Sequence, residues 1–132
     1  MGLYGVVAVR TVRLIKSEEQ LEPLKAWNIV ASEVFGEGTW AQQKSCPKSA
    51  FLGLCEAGMI QGIVKGKYAG KTGLQKNKKY AIKAVQILKN KPELAENKLK
   101  LWSEVRQGAH FTHDSQMDVV VALWSNNLIV LE

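Results

Sequence analysis

The stretch KSCPKSAFLGLCEAG, residues 44–58, decides the fold of this chain of 132 residues. Pro47 suits the first turn of a helix, Ser45 or Cys46 is the candidate N-cap, and Gly58 is a typical stop signal. The residues between these signals are apolar on nearly every side, a pattern typical of a buried helix. We therefore predict a buried helix at the centre of the fold.

A glycine lies in the middle of this predicted helix. In a helix interior, Gly53 costs up to about 1 kcal/mol relative to alanine. A glycine retained in an apolar helix body indicates that a neighbouring helix crosses closely at that point.

A second stretch further along the chain repeats the pattern of the first. Residues 49–60 and 118–129 each contain an apolar helix, then Gly58 or Asn127, then two apolar residues. A left-handed residue at a helix end, followed by an apolar residue that folds back onto the last turn, produces this pattern. We predict two equivalent helix ends rather than a repeat protein.

Two helices are predicted before the central stretch. Polar side chains recur every third residue within residues 4–16, and this spacing favours a helix over a strand. The sequence Ser17-Glu18-Glu19-Gln20 fits a capping box for a second helix, with Pro23 in its first turn and Gly36 at its end. Residues 37–43 are predicted to form a loop or a single turn.

Three helices are predicted after the central stretch. A loop rich in glycine and lysine, residues 62–73, precedes a helix over residues 77–89. Pro92 begins the next helix, and Ser115 and Asp118 have capping-box spacing at the start of the last one. The apolar residues assigned to the helix after Pro92 include Leu94, Leu99, Trp102 and Val105.

These elements predict an all-α fold, a compact single domain over residues 1–132 with five or six short helices. At 46% apolar residues and 23% charged residues, the chain can bury a core without a metal or a disulfide. Cys46 and Cys55 would lie roughly 13 Å apart along one helix, beyond the reach of a disulfide. The predicted interior consists of Phe51, Leu52, Leu54, Tyr80, Ala84, Leu88, Trp102, Val120 and Leu123.

The sequence carries no targeting or membrane signal that we can identify. No basic region precedes the first apolar run, so a signal peptide is not predicted. No apolar run approaches the roughly 20 residues of a membrane span. We therefore expect a cytoplasmic protein with thiol cysteines and no membrane partner. Leu131 and Glu132 resemble a cloning remnant and carry no weight.

The formal net charge of +6 is concentrated in one segment. Residues 57–92 contain nine lysines and no Asp or Glu, whereas the rest of the chain is net acidic. Such a segment suits a polyanion, and the absence of arginine argues against precise reading of bases. The simpler alternative is a solvated lysine surface. The candidate polyanion-binding residues are Lys65, Lys67, Lys71, Lys76, Lys78, Lys79 and Lys83.

Two nucleic-acid or nucleotide motifs can be set aside. Residues 66–72 resemble a phosphate-binding loop, but three residues separate the glycines where the motif needs four. A helix-turn-helix needs a turn of three or four residues, and far more residues separate the helices that could form one here.

Cys46 is the first candidate for catalytic chemistry. A thiol at a helix N-cap faces free N–H groups and the positive end of the helix dipole, which favour the thiolate. A relay from Cys46 to His113 and Asp114 can be written. No motif of a cysteine enzyme surrounds these residues, and a packing role for Cys46 is the simpler interpretation.

A metal site is not predicted. His110, His113 and Asp114 supply at most three ligands, and no motif fixes them together. We expect no metal and no cofactor. Among the four tryptophans, Trp40 lies outside the predicted helical core faces, so it is the best candidate for an exposed contact residue.

Several motifs together resemble a family of small bacterial proteins of unknown function. They are the segment CPKSAFLGLC (residues 46–55), the segment EVFG (residues 33–36), PEL (residues 92–94) and HDSQMDVV (residues 113–120). The resemblance implies a single bacterial cytoplasmic domain. It implies no activity, cofactor or catalytic residue.

The charge segregation predicts a non-enzymatic binding or adaptor domain that engages nucleic acid or an acidic protein through its lysine-rich segment. One alternative is a thiol-dependent enzyme or redox-responsive protein that uses Cys46. Another is a homo-oligomeric interaction module with Trp40 in its contact surface.

Overall fold

The computed structural model describes residues 2–18, 21–68, 74–106 and 115–131. Within these ranges the chain is helical and contains no strand, so the predicted all-α fold is confirmed. The helices are α1 (Leu3–Ser17), α2 (Pro23–Phe35), a short α3 (Trp40–Gln43), α4 (Ser45–Glu56), α5 (Leu74–Asn90), a 3-10 helix (Pro92–Glu96), α6 (Lys98–Arg106) and α7 (Ser115–Ser125).

The central helix is α4, as the sequence predicts. It packs against α5, α7 and α2, while α1 packs against α7 and α2. Every residue from Ala50 to Cys55 is buried, because α4 has neighbours on all sides. All of the predicted interior residues are buried except Tyr80, which is half-buried at the edge of the core.

The close helix crossing predicted at Gly53 is present. A Cβ atom placed on Gly53 would lie 2.6 Å from the Cβ atom of Lys78 on α5. Ordinary van der Waals contact between carbon atoms is about 3.5–4.0 Å. The absence of a side chain at Gly53 therefore lets the two helix backbones approach closely.

The two equivalent helix ends are also confirmed. Gly58 (φ 72°) follows α4 and Asn127 (φ 59°) follows α7, both in the left-handed conformation. The N–H group of Met59 donates to the Leu54 carbonyl at 3.0 Å, and that of Leu128 donates to the Leu123 carbonyl at 2.9 Å. Both ends are therefore Schellman motifs.

The segments that leave these two helix ends pair with each other. Ile60 and Ile129 form an isolated antiparallel bridge and are both buried. The Gln61 N–H donates to the Leu128 carbonyl at 2.8 Å, and the Val130 N–H donates to the Met59 carbonyl at 2.9 Å. The repeated sequence pattern thus produces two matching exits that meet.

Two predicted helix starts are wrong. Ser17 belongs to the last turn of α1, where its hydroxyl donates to the Leu14 carbonyl at 2.8 Å. It therefore does not cap α2, whose N-cap is Glu22. Cys46 is not an N-cap either, because α4 begins at Ser45 and Lys44 is its N-cap. Glu19 and Gln20 lie outside the described residues.

The second half of the chain brings two further corrections. The helix predicted from Pro92 is two elements, the 3-10 helix and α6, and this break changes the helical register. Leu99 is consequently exposed, and Leu101 takes the buried position instead. Ser115 lies inside α7, and its hydroxyl makes no capping hydrogen bond to any described residue.

Candidate polyanion-binding surface

Helix α5 presents lysines along one exposed face. Lys76 and Lys79 are exposed and Lys83 is half-buried, and their spacing of three and four residues places them on the same side of the helix. The opposite side of α5 is buried through Ala81, Ala84, Val85 and Leu88. No acidic residue occurs anywhere in α5, so its charge on this face is uniformly positive.

Two more of the predicted lysines, Lys65 and Lys67, are exposed in residues 61–68, which connect the end of α4 towards α5. The Tyr68 N–H donates to Glu56 Oε2 at 3.0 Å, and the Tyr68 hydroxyl donates to the Val64 carbonyl. These bonds give the segment a defined path over the end of α4. Lys71 lies outside the described residues.

One carboxylate joins this segment to α5. Glu56 accepts the Tyr68 N–H through Oε2 and the Lys78 ammonium through Oε1, the latter at 3.1 Å. The side chains of Glu56 and Lys78 are only 11% and 24% exposed. The ammonium group of Lys78 is therefore held by a partner inside the chain, unlike the exposed lysines around it.

Sequence reasoning missed Glu56 because the acid-free segment was counted from Ala57 onward. An acid next to the start of a lysine-rich segment was the available signal, since a lone carboxylate beside many ammonium groups is expected to pair with one. In the structure, Glu56 supports the lysine-bearing segment rather than standing outside it.

Tyr80 supports the lysine face from below. Its ring meets the Trp102 ring edge-on, with the centroids 5.3 Å apart and the planes at 88°. The Lys76 ammonium lies 6.0 Å from the centroid of the Tyr80 ring, which is the outer limit for a cation–π contact. Tyr80 therefore packs α5 against α6 at the edge of the lysine face.

The thiol candidates do not form a site in the described structure. Cys46 is half-buried in the first turn of α4, and Cys55 is buried in the core. Burial raises the pKa of the Cys55 thiol, and the charge of Glu56 acts in the same direction. His110, His113 and Asp114 lie outside the described residues. No group of three or more His, Cys, Asp or Glu residues that could hold a metal occurs among the residues described.

Trp40 is exposed, as predicted. Its side chain is 74% accessible, and the Lys44 ammonium lies 5.4 Å from its ring centroid and 5.5 Å from that of Tyr4. The Tyr4 hydroxyl donates to the Ala41 carbonyl at 3.0 Å. These contacts fix the base of α3 on α1, and a protein-contact role for Trp40 stays a prediction.

A buried polar group that sequence analysis did not find lies where α5 meets α7. The Gln116 amide Nε2 donates to Asn77 Oδ1 at 2.8 Å, with both side chains buried. Ser115 is buried beside them. The pair joins two helices that are distant in sequence, so no local pattern could indicate it.

The described structure defines a class of protein, a small all-helical domain with exposed lysines on one helix face and on an adjacent connecting segment. The chain belongs to the family described as Family of unknown function (DUF6979), whose model matches residues 1–130. The family resemblance predicted from the sequence is confirmed to that extent. No curated protein and no solved structure matches the chain. None of the helices among the described residues is long and apolar enough to cross a membrane.

Proposed function

We propose that this chain is a non-enzymatic domain that binds nucleic acid through a lysine surface, defined here as Lys65, Lys67, Lys76, Lys79 and Lys83. The observation that carries the proposal is the row of lysines on the acid-free helix α5. Lys78, also in the predicted set, acts in this proposal as a support that pairs with Glu56.

The spacing of the charges supports a linear polyanion. Lys76, Lys79 and Lys83 extend over roughly 10 Å of helix, at 1.5 Å per residue. A nucleic-acid backbone carries one negative charge per phosphate at regular intervals and gains binding energy when cations displace its counterions. A row of ammonium groups on a rigid helix matches this regular pattern better than it matches the irregular carboxylates of an acidic protein.

The residue type indicates what the surface reads. Lysine is a compact charge with three rotatable donors, whereas arginine makes the bidentate contacts that distinguish guanine. All five residues of the lysine surface are lysines. The proposed binding is therefore to phosphates, with weak dependence on base sequence and strong dependence on salt.

The test is a titration of fluorescently labelled single-stranded and double-stranded oligonucleotides at 50 and 200 mM salt. We expect affinity to fall steeply with salt, with a logarithmic slope of about 0.7–0.9 for each phosphate neutralised. The triple variant Lys76→Ala, Lys79→Ala, Lys83→Ala should weaken binding and reduce the slope by about two to three phosphate contacts.

A matched control removes the same charge elsewhere. The triple variant Arg13→Ala, Lys25→Ala, Lys100→Ala takes three exposed cations from α1, α2 and α6. It should retain nearly all of the affinity, because net charge alone is not the proposed cause. Equal losses in the two triple variants, binding without salt dependence, or a preference for polyglutamate over nucleic acid would each overturn the proposal.

A further inference from the structure

The first turns of α5 and α7 meet inside the molecule. Asn77 is in the first turn of α5 and Gln116 in the first turn of α7, and their side-chain amides are joined at 2.8 Å. Asn77 is 9% exposed and Gln116 is 5% exposed. Two helix N-termini, of 17 and 11 residues, therefore converge on one buried polar site.

Two polar atoms at this site lack a partner. Ser115 is 5% exposed, and neither its Oγ atom nor Gln116 Oε1 has a hydrogen-bond partner among the described residues. Buried polar groups in folded proteins are nearly always hydrogen-bonded, so two adjacent exceptions require an explanation. A bound polar ligand supplies one.

The charge around the site selects the ligand. Helix N-termini carry positive partial charge and free N–H groups, which bind anions. The first turn of α5 has no acid. The acid in the first turn of α7, Asp118, is already paired with the Lys98 ammonium at 2.5 Å.

The amide pair can supply donors to an anion. If the pair reverses, Asn77 donates to Gln116 Oε1 and the Gln116 amino group becomes free to donate. The Ser115 hydroxyl is a second donor. Together with the two helix N-termini, this gives a set of donors suited to a compact oxyanion with several acceptor oxygens.

We propose that the convergent N-termini of α5 and α7 form a binding site for a phosphate group, with Ser115 and Gln116 as its side-chain donors and Asn77 as the residue that orients Gln116. The site uses none of the ammonium groups of the lysine surface. It is therefore independent of the proposed nucleic-acid binding, and either proposal can fail alone.

The first test follows the wild-type chain by NMR while inorganic phosphate replaces chloride at constant ionic strength. We expect saturable shifts of the backbone amides of residues 115–117 and of the side-chain amides of Asn77 and Gln116. The internal control is the first turn of α4, where Ser45 is exposed and Cys46 is half-buried. No saturable shift, or equal shifts at both helix starts, would contradict the proposal and leave buried water as the partner of these atoms.

The source of the phosphate group is tested by a parallel titration with a nucleoside monophosphate. Tighter binding of the nucleotide at the same amides indicates a phosphomonoester ligand, whereas equal binding indicates free phosphate. Either result supports the site, and binding of neither overturns it.

The second test uses Ser115→Ala. Loss of one hydrogen bond to an anion should lower phosphate affinity by about tenfold or more. Because the hydroxyl lacks a partner in the described structure, its removal should leave the midpoint of thermal unfolding without phosphate unchanged or slightly raised. Ser45→Ala is the matched control and should change neither quantity. The lysine triple variant should keep its phosphate site while losing nucleic-acid affinity. Unchanged phosphate affinity in Ser115→Ala would refute the assignment, and the wild-type NMR result decides the matter if that variant does not fold.

Discussion

Gly53 and Lys78 touch at the crossing of α4 and α5, where a Cβ atom on Gly53 would lie 2.7 Å from the Cα atom of Lys78. The obstructing atom belongs to the backbone of α5, so a side chain at Gly53 cannot be accommodated by a rotamer change. The crossing holds the start of the lysine face against the central helix. Its geometry therefore links the packing of the core to the position of the proposed binding surface.

Gly53→Ala should destabilise the fold, although alanine is the better helix former by about 1 kcal/mol. Overpacking of a core by one methyl group costs about 1–3 kcal/mol, and here the backbone of α5 must move. The measurement is the free energy of unfolding in urea. Ser45→Ala, at an exposed position of the same helix, should change it by less than about 0.5 kcal/mol. A more stable Gly53→Ala protein would show that the helices do not cross this closely.

The two Schellman ends should respond to substitution in opposite ways. Asn127 adopts a left-handed conformation that glycine adopts without strain, so Asn127→Gly should stabilise the fold by up to about 1 kcal/mol. Gly58→Ala should destabilise it by about 1–2 kcal/mol, and Gly58→Asn should cost less than Gly58→Ala. Urea unfolding of these variants measures all three effects. If Asn and Ala are equally tolerated at residue 58, left-handed strain does not decide the end of α4.

Glu56 and Lys78 should show strong energetic coupling. Glu56→Gln removes charge-assisted hydrogen bonds to Tyr68 and Lys78 in a largely buried setting and should cost about 1–3 kcal/mol. A double-mutant cycle with Lys78→Met should give a coupling of about 0.5–3 kcal/mol.

The surface ion pair between Arg10 and Glu33 provides the comparison for this cycle. Its side chains are 46% and 55% exposed, so its coupling should be below about 1 kcal/mol. Equal coupling in the two cycles would mean that Glu56 does not join the lysine-bearing segment to α5 as the structure indicates.

Cys55 should make the stability depend on pH in alkaline solution. Burial raises its pKa in the folded state, so the unfolded chain releases the thiol proton first, above about pH 8.5. The unfolded state then binds fewer protons than the folded state, and stability falls as pH rises, with a limiting slope of about 1.4 kcal/mol per pH unit. Its contribution is fully present below that pH.

Denaturation at pH 7.5, 8.5 and 9.5 measures this slope. Cys55→Ala should lower stability at pH 7.5 because it leaves a small cavity, but it should remove the thiol contribution to the slope. Cys46→Ala keeps Cys55 and should retain that contribution. Identical slopes in the wild type and Cys55→Ala would rule out the buried neutral thiol.

The core could be predicted from the sequence because its signals are local. The apolar run from Phe51 to Cys55, the glycine within it and the stop at Gly58 lie in one continuous stretch, and each follows from helix geometry. The failures also have local causes. Ser17 satisfies a carbonyl of its own helix, so the same residue type that caps a helix start here closes a helix end.

The elements of both proposed sites depend on contacts between distant parts of the chain. Glu56 meets Lys78 across 22 residues and Asn77 meets Gln116 across 39. No periodicity or capping rule contains that information. The lysine face of α5 could be predicted as a charge pattern, but which of its lysines is paired could be learned only from the packing of α4 on α5.

The pairing of Ile60 with Ile129 has a consequence for the order of folding. About seventy residues separate the two, so closing this contact from a disordered chain carries the entropy cost of a long loop, roughly 4 kcal/mol by the logarithmic relation. The Schellman turns that present Ile60 and Ile129 are local and can form with their helices. We expect the bridge to close late, after α4 and α7 have packed, so that weakening it speeds unfolding while leaving the folding rate nearly unchanged.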